Sequence, residues 1–230
     1  ELYKPTNAGM EHSLNISGSS NKLNYYVSGR YYEQDGIFRY NSDDYKMYNL
    51  RSKGTLQIYS WLKVNNNFDF SSRDYNYPMT SMFEKGVWRN LADQGFPLAM
   101  MFNPDGSLTY HSAATVGDLW YGKNREKTRL GSLRNTSEVT ATFFDKKLTV
   151  NGDFTFANTD SHGTRRLYPM EYSQYENIFE SSGSSRYSKW KHSTKYIAMN
   201  AYATYENKFK DHYVKVMGGI NHEEKDYDKM

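Results

Sequence analysis

Apolar and polar residues alternate along much of the chain, and residues 62–70 (LKVNNNFDF) are the clearest case. The apolar positions of this segment fall on one side of an extended strand: Leu62, Val64, Phe68 and Phe70. The polar positions fall on the other side: Lys63, Asn65, Asn67 and Asp69. A side-chain repeat of two residues is that of a β-strand. The segment is therefore predicted to be a strand with one dry face and one wet face.

The same alternation recurs and predicts eight strands arranged as four hairpins. Their approximate ranges are 12–18, 23–32, 48–58, 62–70, 136–144, 148–156, 196–205 and 213–221. Several runs continue for about ten residues, the length of a tilted membrane-spanning strand and longer than the usual ~5–6 residues. The fold is predicted to be all-β, with antiparallel strands in up-and-down order.

The predicted connections alternate strictly between short and long. Short connections follow Gly18, Tyr59, Phe144 and Tyr205. Long connections lie near residues 33–44, 74–132 and 158–193. All short turns must then lie at one end of the sheet and all long loops at the other, which is typical of bacterial outer-membrane barrels.

The longest connection is predicted to contain a short amphipathic helix at about residues 82–93. Ser81 and Glu84 have the spacing of a capping box. Apolar residues then recur at helical spacing, at Phe83, Val87 and Leu91, and Gly95 provides a stop signal. The NPDGS segment at 103–107 is predicted to be a turn.

Alternation alone does not reveal what the dry face touches, because a soluble sheet has the same two faces. The loop asymmetry and the strand length both favour lipid. Aromatic rings also lie near strand ends, where interfacial girdles occur: Tyr25, Tyr31, Tyr48, Tyr59, Trp61 and Tyr205. We therefore expect the apolar face to meet lipid and the polar face to line a wet lumen.

Composition narrows the candidate chemistry. Of 230 residues, 37% are hydrophobic and 17% are aromatic, with 22 tyrosines and no cysteine. Disulfides and thiolate metal sites are therefore excluded. The net charge of +3 creates no strong field for nucleic acid. The six histidines are scattered without metal-ligand spacing, so neither a metal nor a cofactor is predicted.

The sequence also favours a protein without catalytic residues. Asp69, Glu138 and Asp153 are candidates for paired glycosidase acids, but they lie on different strands and solvated lumen carboxylates are the simpler interpretation. The adjacent Ser161 and His162 do not make a triad, because triads are assembled in space. The chain is predicted not to be an enzyme.

Aromatic residues in the predicted long loops are the candidate ligand-binding residues. They are Trp88, Trp120, Tyr121, Tyr168, Tyr172 and Trp190. Flat rings there can stack on sugars or hold a peptide. The alternative is that these rings pack the long loops against each other or against a lid protein.

Several segments resemble the barrel region of SusC/RagA-like TonB-dependent transporters of Bacteroidetes. The resemblance rests on HSLNISGSSNKLNYYVSGRYYEQDGIF at residues 12–38 and on DDYKMYNLRSKGTLQIYSWLKVNNNFDF at 43–70. LTVNGDFTF at 148–156 and NAYATYENKF at 200–209 are similar more weakly.

This resemblance implies that residues 1–230 are about eight strands of a larger transmembrane barrel, with the plug domain, the TonB box and the remaining strands absent. It implies an outer-membrane importer of oligosaccharides or peptides, driven by TonB through the absent N-terminal region. A SusD-like surface lipoprotein is the implied partner at the external mouth. The alternative hypothesis from the residues themselves is a soluble β-rich carbohydrate-binding module, with a β-rich glycan hydrolase as a third.

Overall fold

The computed structural model describes residues 2–81, 86–96, 98–175 and 177–230. Its main element is one antiparallel sheet of eight strands. These strands are β1 (Gly9–Ser19), β2 (Leu23–Asp35), β3 (Asp44–Tyr59), β4 (Leu62–Pro78), β5 (Arg125–Phe143), β6 (Leu148–Leu167), β9 (Arg186–Phe209) and β10 (His212–Lys229). The long connections add the hairpin β7 (Met170–Tyr175) and β8 (Ile178–Ser182) and the helices α1 (Val87–Gln94), α2 (Tyr110–Thr115) and α3 (Gly117–Tyr121).

The eight predicted strands and their up-and-down order are confirmed. In the sheet, each strand pairs with the next in chain order, except that β6 pairs with β9 across the separate β7–β8 hairpin. The observed long connections are residues 36–43, 79–124 and 168–185. They lie at the end of the sheet opposite the short turns, as the strict alternation predicts.

The predicted loop at 158–193 was wrong in its extent, because β6 continues to Leu167 and β9 begins at Arg186. In these extensions both faces of the sheet are polar, so the apolar alternation stops while the backbone hydrogen-bonding ladder continues. A search based on one apolar face cannot detect such strand ends.

The register places the apolar residues of all eight strands on the same face. Leu50 lies opposite Phe70, which in turn lies opposite Leu133. This apolar face is left open to the surroundings, since Ile220 and Leu14 are 78% and 68% exposed. Val150 and Phe154 are also exposed rather than gathered in a core. Among the residues that the structure describes, no second layer packs against this face of the sheet.

The apolar residues form a band that crosses the sheet diagonally. On β3 the band begins at Tyr48, below Lys46, whereas on β9 it begins at Ile197, below Lys195. The pairing register carried strand by strand puts Ile197 level with Ser52. The band has thus shifted by about four residues, or roughly 13 Å, across four strand spacings of roughly 19 Å in total. Strands tilted by about 35° from the perpendicular to the band, as in membrane barrels, produce this shift.

Buried apolar residues lie mainly at the long-connection end. One cluster contains Phe38, Val87 and Leu119, and a second contains Leu108, Ala113, Met170 and Tyr172. We call this assembly of α1–α3, the β7–β8 hairpin and the three long connections the loop cap. Within the part of the chain that the structure describes, no helix is long and apolar enough to cross a membrane.

The predicted helix is confirmed as α1, with Gly95 as its C-cap, but it begins later than expected. Its N-cap is Gly86, and the Ser81 Oγ has no hydrogen-bond partner among the described residues, so Ser81 is not the N-cap of α1. Phe83 and Glu84 lie outside the described residues. The predicted turn at 103–107 is confirmed, with the Asn103 N–H donating to the Ser107 oxygen at 2.8 Å and Gly106 at φ +82°.

Candidate functional site

Buried amide side chains tie the three long connections into one unit. The Asn124 Nδ2 donates to the Tyr168 carbonyl at 3.0 Å, and the Tyr168 N–H donates back to the Asn124 Oδ1 at 2.5 Å. The Asn41 Nδ2 donates to the Leu119 carbonyl at 2.9 Å. Since Asn41, Asn124 and Tyr168 belong to three different connections, these bonds fix the loops relative to one another.

Asp118 is the buried acid at the centre of this arrangement, with an exposed fraction of 1%. One carboxylate oxygen accepts the Ser81 N–H at 2.9 Å, and the other accepts the Asn124 amide. Burial raises the pKa of Asp118 to about 7, and these two hydrogen bonds oppose that rise because they favour the charged form. The loop cap therefore contains a carboxyl group that titrates near neutrality.

Trp88 and Trp120 each hold an aromatic residue of the β2–β3 connection. The Trp88 ring packs on Phe38 with a centroid distance of 4.7 Å, and Tyr3 stacks on Trp88 at 6.4 Å. The Trp120 ring packs on Tyr40 at 4.9 Å. Trp88 and Trp120 nevertheless remain 50% and 45% exposed, so each presents free ring surface beside its packed neighbour.

Exposed rings of the loop cap, together with Tyr3 of the N-terminal segment, form the candidate ligand surface, which we call the aromatic surface. Its members are Tyr3, Tyr40, Trp88, Phe102, Trp120 and Tyr121. Sequence reasoning found three of them and missed Tyr3, Tyr40 and Phe102. The pair Phe38 and Tyr40, two aromatic residues separated by one position in a mostly polar loop, could have indicated this surface from the sequence. Phe102 packs on Trp120 at 5.6 Å and immediately precedes the NPDGS turn.

The other predicted site residues lie in different surroundings. Tyr172 is 7% exposed, its hydroxyl donates to Glu180 at 2.6 Å, and its ring packs edge-on against Tyr110. Tyr168 is exposed, with its backbone held by Asn124. The prediction that Trp190 lies in a loop was wrong. Trp190 belongs to β9, opposite Gly163 on the polar face, in a strand extension with no apolar alternation.

The polar face carries a groove of about 440 Å³ across β1–β4 that is rich in arginine. Arg30 pairs with Glu11 and Arg51 with Asp69, each with an N–O distance of 2.9 Å. Arg73 also lines the groove, without an ion pair among the described residues. The groove is consequently wet and slightly cationic, which suits carboxylate groups of a ligand.

The candidate acids Glu138 and Asp153 accept hydrogen bonds from neighbouring asparagine side chains. Glu138 and Asp153 lie opposite each other on β5 and β6. Asn65 donates to Glu138 at 3.1 Å, and Asn200 donates to Asp153 at 2.7 Å. Among the residues the structure describes, no group of three or more His, Asp or Glu side chains could hold a metal ion.

A second exposed surface of the loop cap is apolar. We call it the apolar patch, and it comprises Leu98, Met100, Tyr175, Ile178 and Phe179, all exposed. The segment 98–105 is fixed beside the β7–β8 hairpin by two bonds. The Asn103 Nδ2 donates to the Ser173 carbonyl, and the Asn177 N–H donates to the Asp105 Oδ2, both at 2.9 Å. Exposed apolar patches of this kind mark interaction surfaces.

Comparison with known proteins finds solved structures with a similar fold. No protein-family model and no curated protein matches the chain. Among solved structures it is similar to a chain of the RagAB peptide transporter, with a TM-score of 0.65 and 18% identity over 96% of this chain and 25% of the other. The RagAB peptide importer in its closed-closed and open-open states gives TM-scores of 0.67 and 0.66, each at 18% identity over 99% of this chain and 26% of the other. The chain thus spans about a quarter of the transporter chains it matches, and it has the fold of that quarter.

Proposed function

We propose that this chain forms part of the barrel wall of a TonB-dependent outer-membrane importer, and that its loop cap helps to bind the imported ligand. The diagonal apolar band carries this proposal. One face of the sheet is apolar and uncovered from Tyr48 to Leu56 on β3 and from Ile197 to Tyr205 on β9. Its course across the register matches strands tilted in a bilayer.

Site-directed spin labelling of the full-length protein in lipid vesicles tests the position of the band. Residues 1–230 contain no cysteine, so a cysteine introduced among them is the only labelling site in this part of the protein. Labels at Val64 and Met199 should be accessible to oxygen and protected from a water-soluble relaxation agent. Labels at the adjacent residues Asn65 and Asn200 should show the opposite accessibility and serve as matched controls. Equal accessibility to water for all four labels contradicts the proposal and favours a soluble carbohydrate-binding module.

Peptides are the proposed ligand class, with oligosaccharides as the alternative. The similarity to the RagAB peptide importer supports peptides, as does the arginine-rich groove below the loop cap. Rings of the aromatic surface can pack against the side chains of an extended peptide or stack on sugars. The imported molecule is chemically unchanged in this proposal, and no residue of the chain has a catalytic role.

Ligand binding can be tested with a tryptic digest of casein and with a maltooligosaccharide mixture as probes. Replacing Trp88 and Trp120 by Ala should weaken binding of the peptide probe by about 10- to 100-fold, because truncating an aromatic anchor of a binding surface costs on the order of 1–3 kcal/mol. Trp61→Ala, at the opposite end of the sheet, is the control. If only the oligosaccharide binding falls, the ligand is a glycan. If neither changes, the aromatic surface is not the ligand site.

The apolar patch is the proposed contact for a SusD-like surface lipoprotein at the external mouth. Its apolar side chains are exposed at the long-connection end, where such a partner must sit. Energy for uptake comes from TonB, which acts through a region of the transporter outside the sheet described above. Ile178→Asp with Phe179→Asp should abolish co-purification of a co-expressed SusD-like protein, whereas Tyr213→Asp at the other end should leave it intact.

A further inference from the structure

Above the apolar band, the same face of β5, β6 and β9 carries a compact array of cations. One cross-strand row aligns Lys127 on β5, Thr164 on β6 and Lys189 on β9. The next row toward the band aligns Arg129, His162 and Lys191. Strand and residue spacings give this array a size of roughly 10 Å by 7 Å. Four cations therefore surround a hydroxyl and an imidazole, and we call this set the cationic array.

Most of this positive charge is not neutralised. Arg129 pairs with Asp74, with N–O distances of 2.5 and 2.7 Å. Lys127, Lys189 and Lys191 are exposed and have no ion-pair partner in the part of the chain that the structure describes. By contrast, on the β2–β3 side of the same face, Lys46 is paired with Glu33 at 2.8 Å. Unpaired positive charge on this face is thus concentrated on β5 and β9.

Acidic residues border the array. On β10, next to β9, Asp226 and Asp228 lie on the same face, opposite Lys195 and Ser193. Asp160 and Asp44 are each engaged in a hydrogen bond. Asp160 lies two residues from His162 on the same face of β6, and its carboxylate accepts the Asn158 amide. Asp44 lies at the far side of the adjoining cavity, where it accepts the Asn76 amide at 2.6 Å. The lining of this cavity, of about 420 Å³, includes the cations Lys46, Lys127 and Arg129, the acids Asp44 and Asp74, and the polar residues His162 and Thr164. The cavity is large enough to hold a phosphate with an attached sugar.

The position of the array relative to the band identifies the occupant. On β5 the distance from Leu133, in the band, to Arg129 is four residues, or about 13 Å along the strand and about 11 Å along the bilayer normal after tilt. The array therefore lies just beyond the hydrocarbon boundary, facing outward from the barrel rather than into its lumen. Only lipid headgroups occupy that position at the long-connection end.

We propose that the cationic array binds the phosphate groups of a phosphorylated glycolipid of the lipid A type in the outer leaflet. Lys127, Lys189 and Lys191 supply the charge, while Thr164 and His162 supply hydrogen bonds to phosphate or sugar oxygens. The acyl chains of the same lipid lie against the apolar band below. This inference rests on the membrane orientation in the proposed function, but it assigns the importer wall a lipid site that import itself does not need.

Native mass spectrometry of the full-length protein in detergent, with diphosphoryl lipid A as the probe, tests the site. Each lysine near a charged membrane surface contributes a factor of about five to affinity. Lys127→Gln, Lys189→Gln and Lys191→Gln combined should therefore weaken binding roughly 100-fold. Reversal of one charge, Lys191→Glu, should weaken binding by at least about 10-fold. This single variant still tests the site if the triple variant folds poorly.

The matched control removes the same charge at the opposite edge of the band, with Lys22→Gln, Lys146→Gln and Lys210→Gln in the short turns. It should bind diphosphoryl lipid A as the wild type does, and dephosphorylated lipid A should bind weakly to all variants. Equal binding by the array variant, or an equal loss in the control variant, overturns the lipid site. Spin labels at Val64 and Met199 report membrane insertion independently, so failure of the proposed function is distinguished from failure of this inference.

Discussion

At the scale of single residues, Asp118 sets a pH dependence for the loop cap. Burial raises its pKa from the usual 3.8 to about 7 in the closed cap, whereas opening to water restores the usual value. The closed cap therefore holds the proton more tightly than the open cap. Its stability should be greatest below about pH 4, fall as the pH rises to about 7, and stay constant above that. At about 1.4 kcal/mol per pKa unit, the total loss is on the order of a few kcal/mol.

Amide hydrogen exchange at Ser81 and Tyr168, corrected for the intrinsic pH dependence, measures this opening. Wild-type protection should fall between pH 5 and pH 7. Asp118→Asn should remove that slope and lower protection at all pH values, because its amide group faces one of the two N–H donors. Asp105→Asn is the matched control, since hydrogen bonds from Asn177 and Ser107 hold the pKa of Asp105 below its usual range. A slope that survives Asp118→Asn would contradict this assignment.

Gly163 and Trp190 make a second residue-level prediction. A Cβ at Gly163 would overlap the Trp190 ring, which lies over it on the polar face. Gly163→Ala should displace that ring and lower the stability of the folded protein by about 1–3 kcal/mol, as for other overpacked sites. Gly54→Ala is the control, because its Cβ would meet open space. Thermal unfolding in detergent checks the difference, and equal midpoints for the two variants would show that the ring moves freely.

Residue identity alone could not separate exposed rings from packed ones. Trp88 and Tyr172 look alike in sequence as aromatic residues of polar segments. Trp88 is half-exposed because only one side of its ring meets Phe38, whereas Tyr172 is buried between Tyr110 and the Leu108 cluster. Which ring face remains free depends on contacts between loops far apart in the chain.

At the scale of elements, the short turns are formed without the glycines that would favour them. In the β5–β6 turn, Phe144, Asp145 and Lys146 have φ values of 52°, 53° and 69°. Left-handed backbone costs a non-glycine residue roughly 1 kcal/mol. This strain persists because the long β5–β6 ladder determines the turn.

Lys146→Gly should consequently stabilise the β5–β6 hairpin by about 0.5–1 kcal/mol, since glycine adopts positive φ without steric cost. Lys147→Gly is the matched control. Lys147 is not among the positive-φ residues, so glycine there should destabilise the hairpin slightly through added unfolded-state freedom. Denaturant unfolding in detergent measures both. Destabilisation by Lys146→Gly would mean that the lysine side chain has an unrecognised contact.

At the scale of the whole molecule, the apolar band predicts a dependence on depth. Ala201 lies at the centre of the band on β9 and Tyr205 lies at its lower edge. Ala201→Arg should lower stability in a bilayer by roughly 2–4 kcal/mol, whereas Tyr205→Arg should cost roughly 0–1 kcal/mol. Tyr202→Arg is the matched control, because Tyr202 faces the polar side. The folded fraction after refolding into vesicles is the readout, and equal effects of Ala201→Arg and Tyr202→Arg would argue against a lipid-facing band.

The eight strands of the main sheet, the two faces of each strand and the alternation of short and long connections could be predicted from the sequence alone, whereas the β7–β8 hairpin could not. The predictable features follow from the local alternation of apolar and polar residues and from the positions of turns, both of which are properties of short sequence segments. The strand extensions beyond the band, the tilt, the burial of Asp118 and the grouping of Lys127, Lys189 and Lys191 became visible only in the three-dimensional arrangement. Each of these depends on register between strands or on contacts between loops, and a side-chain period of two carries no information about which strand lies beside which, or at what height.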